Sequence, residues 1–395
     1  MGIQPSKRMG NFTTSIFSEL AQLKREQQRL GVEVIDLSVG SPDLPPPKFI
    51  MEELAKQVMN SEQYGYSLTG IGEFYEAVST YYSRRHGVNI AAENEVALLM
   101  GSQDGLVHLP LFFTDSGDIV LAPDPGYTAY EAGINVASAT LFPMPLREEN
   151  QFLPCLEEIP EDIARKAKMM ILNFPGNPVP TLGNKEFFEK VVAFAKKHQI
   201  LVVHDFAYSE LVFDHNHATS FLEVEGAKEI GIEINSLSKS FNLAGARIGY
   251  IVGNKEIINL IQRFKSNLDY GVFIPVQKAA VSALIDDRGF LEQNAKIYEK
   301  RRDILVNGFK ELGWEIAASP ATMFLWARIP DGWQSKEFAF ELLSRSGVVV
   351  TPGNAFGKNG EGYVRIALVQ NEEKLKLAID KIKQSNILAS IKDSK

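Results

Sequence analysis

The chain has 395 residues, 45% of them apolar and 23% charged, with a formal net charge of -8; it is long enough for two domains with sizeable cores, and without a basic run to offset the acidic balance it is not built for nucleic acid. Its longest apolar runs, such as Met169 to Leu172, are far too short to span a bilayer, and no apolar run follows Lys7 and Arg8 to make a secretory signal. Cys155 is the only cysteine, so no intrachain disulfide can form and a reducing cytoplasm is the expected compartment.

Apolar residues at helical spacing (Ile16, Phe17, Leu20, Leu23) predict an amphipathic helix from Ser15 to Leu30. A short strand, Val34 to Val39, breaks at Gly40, and Pro45 to Pro47 end the unit. Phe49 to Gly87 is mostly helical, interrupted by Tyr64 to Gly70. Val96 to Met100 reads as a strand leading through Gly101 into a helix whose first residues include Ser102 and Gln103; such a helix start presents free N–H groups to an anion, and is equally an ordinary cap. Five more strand-like runs follow: Ile119 to Ala122, Thr140 to Pro143, Met169 to Asn173, Ile200 to His204 and Ile248 to Val252. Between two of them, Phe187, Phe188, Val191, Val192 and Ala195 share one helix face. The alternation predicts an α/β fold with a mostly parallel sheet covered by helices on both faces, in which ligands bind beyond the carboxyl ends of the strands. Helices are expected from Lys255 to Lys265 and from Pro275 to Arg301. Strands at Ala321 to Ile329, Val348 to Thr351 and Tyr363 to Leu368 then form a smaller α+β domain to which the N-terminal helix returns. The expected boundaries are an arm and part of the small domain over 1–47, a large domain over 48–280 and the small domain over 281–395.

The chemistry concentrates between Ser236 and Tyr250, where Lys239 sits among small hydroxyl residues and Arg247 follows in a Gly/Ala-rich turn. An amine able to form a Schiff base and a guanidinium able to fork onto phosphate oxygens are what a phosphorylated aldehyde cofactor needs, and this points to pyridoxal phosphate. Alone, the pair also reads as a surface lysine and a turn-closing arginine, so context decides. Asp205 closes the run Leu201 to His204, with Tyr208 one turn later. A carboxylate beside a pyridine nitrogen keeps it protonated and makes the ring a stronger electron sink, while a phenol can bond the ring's 3'-oxygen. In isolation Asp205 reads first as a helix cap. His204, its neighbour, points to the opposite face and belongs to the core. Arg365 stands in an apolar strand and needs an anion, which a salt bridge or a substrate carboxylate would supply. Cys155 lies in a Pro-flanked acidic segment that raises a thiol pKa, which argues against catalysis.

Ser-x-Ser-Lys-x-x-Asn-Leu-x-Gly-x-Arg-x-Gly, from Ser236 to Gly249, resembles the cofactor-lysine signature of the class I and II aminotransferases, fold type I pyridoxal-phosphate enzymes of the aspartate aminotransferase superfamily. The resemblance runs from about Val34 to Leu368. It implies that Lys239 forms the internal aldimine and acts as general base, that Ser102, Gln103, Ser236, Ser238 and Arg247 hold the phosphate end, and that Asp205 serves the ring nitrogen. It gives Tyr208 and Asn177, from Asn173-Phe174-Pro175-Gly176-Asn177-Pro178, to the 3'-oxygen, and Tyr127, from Asp124-Pro125-Gly126-Tyr127, to stacking on the ring. Arg365 and the Gly40 amide then face the substrate carboxylate. The implied activity moves an amino group between an L-amino acid and a 2-oxo acid by a ping-pong mechanism. Rival readings are a C–S β-lyase, which needs the same residues, and a regulatory binding protein, disfavoured because too little chain precedes the enzyme domain for a helix-turn-helix. The donor stays open among LL-diaminopimelate, aspartate, alanine and methionine, with Arg263 and Lys265 as candidates for a side-chain carboxylate. Val179-Pro180 and Ser41 depart from the family pattern. A homodimer with shared active sites is implied, with Tyr64 or Tyr66 reaching the neighbour's phosphate and the Asp269 to Gly271 loop contributing.

Overall fold

The structure, a computed structural model, describes residues 4–12 and 16–388; Ser15, the expected start of the first helix, lies outside them. Helix α1 (Ile16–Arg29) is followed by the two-residue strand β1 (Ile35–Asp36), α2 (Lys48–Val58) and α3 (Gly72–His86). The strands β2 (Val96–Leu99), β3 (Ile119–Asp124), β4 (Thr140–Pro145), β5 (Ala167–Leu172), β6 (Leu201–Asp205), β7 (Gly231–Ser236) and β8 (Gly249–Gly253) form one seven-stranded sheet in the order β2-β8-β7-β6-β5-β3-β4. Only β8 runs against its neighbours; the pairs β3·β4, β3·β5, β5·β6 and β6·β7 are all parallel. The connections carry α4 (Ser102–Phe113), α5 (Thr128–Ala137), α6 (Glu161–Ala164), α7 (Lys185–His198), α8 (Ala227–Ile230) and α9 (Leu237–Ser240).

Alternate strand residues enter different cores, as the pleat requires. Leu121, Met170 and Val202 join the cluster under α3 and α7, while Val120, Met169 and Val203 join the one under α4 and α5. Helix α7 is the clearest case of pattern becoming packing. Asn184 caps it by accepting from Phe187 N at 2.8 Å, and the five apolar residues expected on one face are all buried. Burying each large side chain contributes roughly 2 kcal/mol, which fixes the helix against the sheet. Strand β7 was not expected: Gly231 and a central Glu233 break the apolar run, yet every residue of it is buried.

Beyond the sheet come α10 (Lys255–Leu268), α11 (Ile274–Leu284) and α12 (Phe290–Glu311). The single helix expected from Pro275 to Arg301 is thus two, divided at Asp286–Gly289, where Gly289 takes φ 80°. A second core surrounds the antiparallel sheet β11-β12-β9, made of β9 (Phe324–Arg328), β11 (Thr351–Pro352) and β12 (Tyr363–Ala367). Helices α13 (Ser335–Ser346) and α14 (Glu372–Ser385) cover it, and β10 (Val348–Val349) pairs in parallel with β1. Leu20 of α1 packs on Leu343 and Val349, so the N-terminal helix returns to this second core.

Candidate active site

The carboxyl ends of β2, β3, β5, β6 and β7 lie along one edge of the sheet, and the residues after them converge on a cavity of about 670 Å³. Gly40, Ser102, Gln103, Tyr127, Asn177, Asp205, Tyr208, Ser236, Ser238, Lys239, Arg247 and Arg365 all line it. Ser102, Gln103, Tyr127, Asn177, Asp205, Tyr208 and Lys239 meet because each follows a strand of the sheet to this edge, while Gly40, from the segment after β1, and Arg365, on β12 of the smaller sheet, close the cavity from the other side.

Lys239, on the single turn α9, donates from Nζ to the Gly40 carbonyl at 2.5 Å and stands 5.9 Å from the Tyr208 ring centroid. Burial lowers its pKa to about 8, helped by the positive charges of Arg365 and Arg247. Arg365, on β12, donates to Asn177 Oδ1 and to the Ser38 carbonyl, each at 2.7 Å, and lies over the rings of Phe324 and Phe356 at 4.3 and 4.8 Å. Its Nε is buried without a partner, and among the described residues no carboxylate pairs with it. Burial lowers its pKa to about 10. Arg247 adopts φ 54° and donates to the Ala244 carbonyl at 3.0 Å. Its guanidinium rests against Gly101, which takes φ 83° at the start of α4; a Cβ there would overlap it. Gly249 similarly lets the strand β8 pass close to Ser102 N.

Among the described residues lining the cavity, Asp205 is the only carboxylate. Burial pushes its pKa up, while the Tyr130 hydroxyl at 2.8 Å, the Ala207 N–H at 3.3 Å and the charges of His204 and Lys239 push it down. Asn173 donates to the Asp205 carbonyl at 2.7 Å and accepts from Asn177 N at 2.8 Å, which ties the two functional segments together. Tyr208 is buried, with burial driving its pKa well up, and Tyr127 caps α5 and donates to Gln103 Oε1 at 3.1 Å.

Several residues were not legible in the sequence as part of this site. Tyr130 follows Tyr127 by one helical turn, a spacing that could have marked it. Asn173 opens the motif that supplied Asn177. Phe17 and Phe356, 5.6 Å apart edge to face, come from elements remote in sequence and carried no signal. Other candidates fall elsewhere. Lys265 is buried between Asp104 and Asp269, the latter at 2.7 Å, and neither it nor the exposed Arg263 lines the cavity, which corrects their candidacy for a substrate carboxylate in this chain's own site. Tyr64 and Tyr66 are 62% and 83% exposed and lie outside the cavity. His204 is fully buried, and Cys155 sits beside Glu157 with its thiol pKa raised by burial and that carboxylate.

The arrangement fits pyridoxal phosphate. A glycine-lined helix start with an adjacent guanidinium suits a phosphate, a buried carboxylate suits a pyridine nitrogen, and Arg365 keeps an unpartnered donor for a further anion.

The chain matches the family model described as aminotransferase class I and II over residues 32–382. It is 40% identical over 386 residues to the LL-diaminopimelate aminotransferase of Halothermothrix orenii, covering 98% of this chain and 99% of that one. Among solved structures it is similar to substrate-bound BacF of Bacillus subtilis, with a TM-score of 0.93, 40% identity and 98% of each chain covered. It is also similar to a probable N-succinyldiaminopimelate aminotransferase of Thermus thermophilus, with a TM-score of 0.89, 36% identity, and 94% of this chain and 100% of that one covered.

Proposed function

The chain belongs to the class I and II aminotransferases, pyridoxal-phosphate-dependent transaminases, and we propose that the cavity at the strand ends is its active site, with Lys239 as the base that moves the proton. The observation that carries this is Arg365: a buried guanidinium with a free Nε and no carboxylate partner among the described residues, in one cavity with Lys239 and Asp205.

When bound, pyridoxal phosphate supplies an aldehyde that condenses with amines and a ring that accepts the electron pair left when the Cα–H bond breaks. Ser102, Gln103, Ser236, Ser238 and Arg247 would hold its phosphate, Asp205 its ring nitrogen, Tyr208 and Asn177 its 3'-oxygen, and Tyr127 one ring face. Arg365 grips the α-carboxylate of the amino acid and so orients the Cα–H bond. Gly40 lends its backbone there. Lys239, with its amine partly free at neutral pH, takes the Cα proton at Nζ and would deliver it to the cofactor carbon that bears the aldehyde, which suits a base whose pKa lies near the working pH.

The related proteins are named aminotransferases, so a C–S β-lyase is not favoured. The relatives' names make LL-diaminopimelate the first donor to try. A second donor reading has its own observation: Phe17 and Phe356 form an aromatic wall next to Arg365, and among the described residues lining the cavity the only carboxylate is Asp205. A donor with an apolar or aromatic side chain fits that wall. Assay of LL-diaminopimelate, phenylalanine, methionine, alanine and aspartate with 2-oxoglutarate and pyruvate tests both readings; turnover that needs no 2-oxo acid would overturn transamination.

We further propose a homodimer in a reducing cytoplasm. Tyr66 packs on Tyr270 and Tyr64 on Phe273, and all four are exposed, an apolar patch suited to a symmetric contact.

A further inference from the structure

Behind Asp205, on the opposite face of the sheet, His204 and Glu233 are both completely buried. They are register partners on the parallel strands β6 and β7, so their side chains stand side by side among Phe188, Phe206 and Phe221. His204 Nδ1 lies 2.7 Å from Glu233 Oε1, and Nε2 lies 3.0 Å from the Phe174 carbonyl. A carbonyl only accepts, so Nε2 carries a hydrogen. Glu233 is ringed by donors: Phe221 N–H reaches Oε1 at 2.6 Å and the Ser220 hydroxyl reaches Oε2 at 2.7 Å. That hydroxyl in turn accepts from Leu222 N, which leaves its hydrogen for Glu233. Donors of this kind favour the ionised carboxylate, and a buried carboxylate needs a counter-charge. Among the described residues His204 is the basic group that pairs with Glu233.

We propose that His204 is a positioning residue for transamination: an imidazolium that donates from both ring nitrogens, pins the Phe174 carbonyl and the loop bearing Asn177, and places a fixed positive charge behind Asp205. This role rests on the active site proposed for the cavity. The loop is held twice, by His204 at Phe174 and by Asn173 at Asn177, and Asn177 then accepts from Arg365. The His204 charge also works against the burial that raises the Asp205 pKa. Tyr82 and His86 from α3 and Tyr250 from β8 interact with Glu233, and Glu210 and Glu223 in turn interact with His86. Burial raises both phenols and lowers His86, and Glu210 has its own cation in Arg85 at 2.5 Å.

Ring nitrogen NMR on 15N-labelled apo-protein near neutral pH tests the proposal directly. Two protonated nitrogens are expected for the histidine whose signals vanish in His204→Gln; should that variant not fold, replacing the other histidines in turn makes the assignment. A ring with one unprotonated nitrogen overturns the proposal. The state of the ring is measured without turnover, so a chain that failed to transaminate would still reveal the charge on His204. His204→Gln keeps an N–H for Phe174 without the charge, and adding Glu233→Gln restores charge balance in the core. The double variant should melt near the wild type, yet lose about tenfold in kcat and in affinity for pyridoxal phosphate, with donor KM within about twofold. Full recovery of kcat and cofactor affinity in the double variant would make His204 only the counter-ion of Glu233, and would overturn the positioning role.

Discussion

The Lys239 amine should be reactive at a pH where other lysines are not. Burial and the charges of Arg365 and Arg247 all disfavour the ammonium, taking its pKa from 10.5 to about 8. The free amine therefore appears as pH rises through about 8. At pH 7 about a tenth of the side chain is amine, against roughly 0.03% at a pKa of 10.5, a gain of about 300-fold. Competitive acetylation of the apo-protein across a pH series, read by peptide mass spectrometry, measures this. Lys190 is an internal reference, because its bond to Glu186 raises its pKa instead. Arg365→Met should move the Lys239 midpoint upward, since it removes the positive charge that acts most strongly on the amine while leaving the lysine in place. Labelling of Lys239 in parallel with Lys190 would refute the reasoning, because neither burial nor the arginines would then be acting on the amine.

Gly101→Ala introduces a Cβ against the Arg247 guanidinium at φ 83°, so the fold should survive with a modest loss of stability while affinity for pyridoxal phosphate falls about tenfold or more, measurable by titrating the apo-protein. Asp205→Asn removes the carboxylate expected at the ring nitrogen and should slow the first half-reaction roughly a hundredfold in a stopped-flow experiment. Because burial raises the Asp205 pKa, its ionised form is lost as pH falls at less acidic values than for an ordinary aspartate, so the wild type should show an acid limb there that the variant lacks. Light scattering through a dilution series, with activity followed in parallel, should show activity falling as the subunits separate; a fully active monomer would count against a shared site.

The sheet was legible because most of its strands are apolar runs separated by helical periods, and short local motifs fall at their ends. What escaped depended on neighbours. Strand β7 carries Glu233, whose charge reads as surface until His204 on the adjacent strand is seen to meet it. The break at Asp286–Gly289 interrupts two helices of similar period, and only the left-handed Gly289 marks the second start. In the site, residues with unusual chemistry at fixed spacing could be read in advance. Phe17 and Phe356 could not, since their contact joins the first helix to a turn near the end of the chain and no local pattern encodes it.

The treatment of cations separates the cavity from the rest of the interior. Elsewhere buried or half-buried cations have carboxylates: Arg301 meets Asp43 at 2.7 Å, Arg302 meets Asp214 at 2.5 Å, Lys265 meets Asp269 at 2.7 Å and Arg85 meets Glu210 at 2.5 Å. The buried Arg365, the half-buried Lys239 and the more exposed Arg247 are held by neutral oxygens, those of Gly40, Ala244, Ser38 and Asn177. Neutral acceptors fix direction without cancelling charge. The carboxylate that shares their cavity, Asp205, bonds to Tyr130 and Ala207 and not to any of the three. Concentrated positive charge in a low-dielectric cavity is unfavourable until anions arrive. A phosphate and an α-carboxylate, entering together, would supply the charge that the chain withholds here and provides to those other cations, which is why the cofactor and the amino acid substrate can be read from the same three side chains.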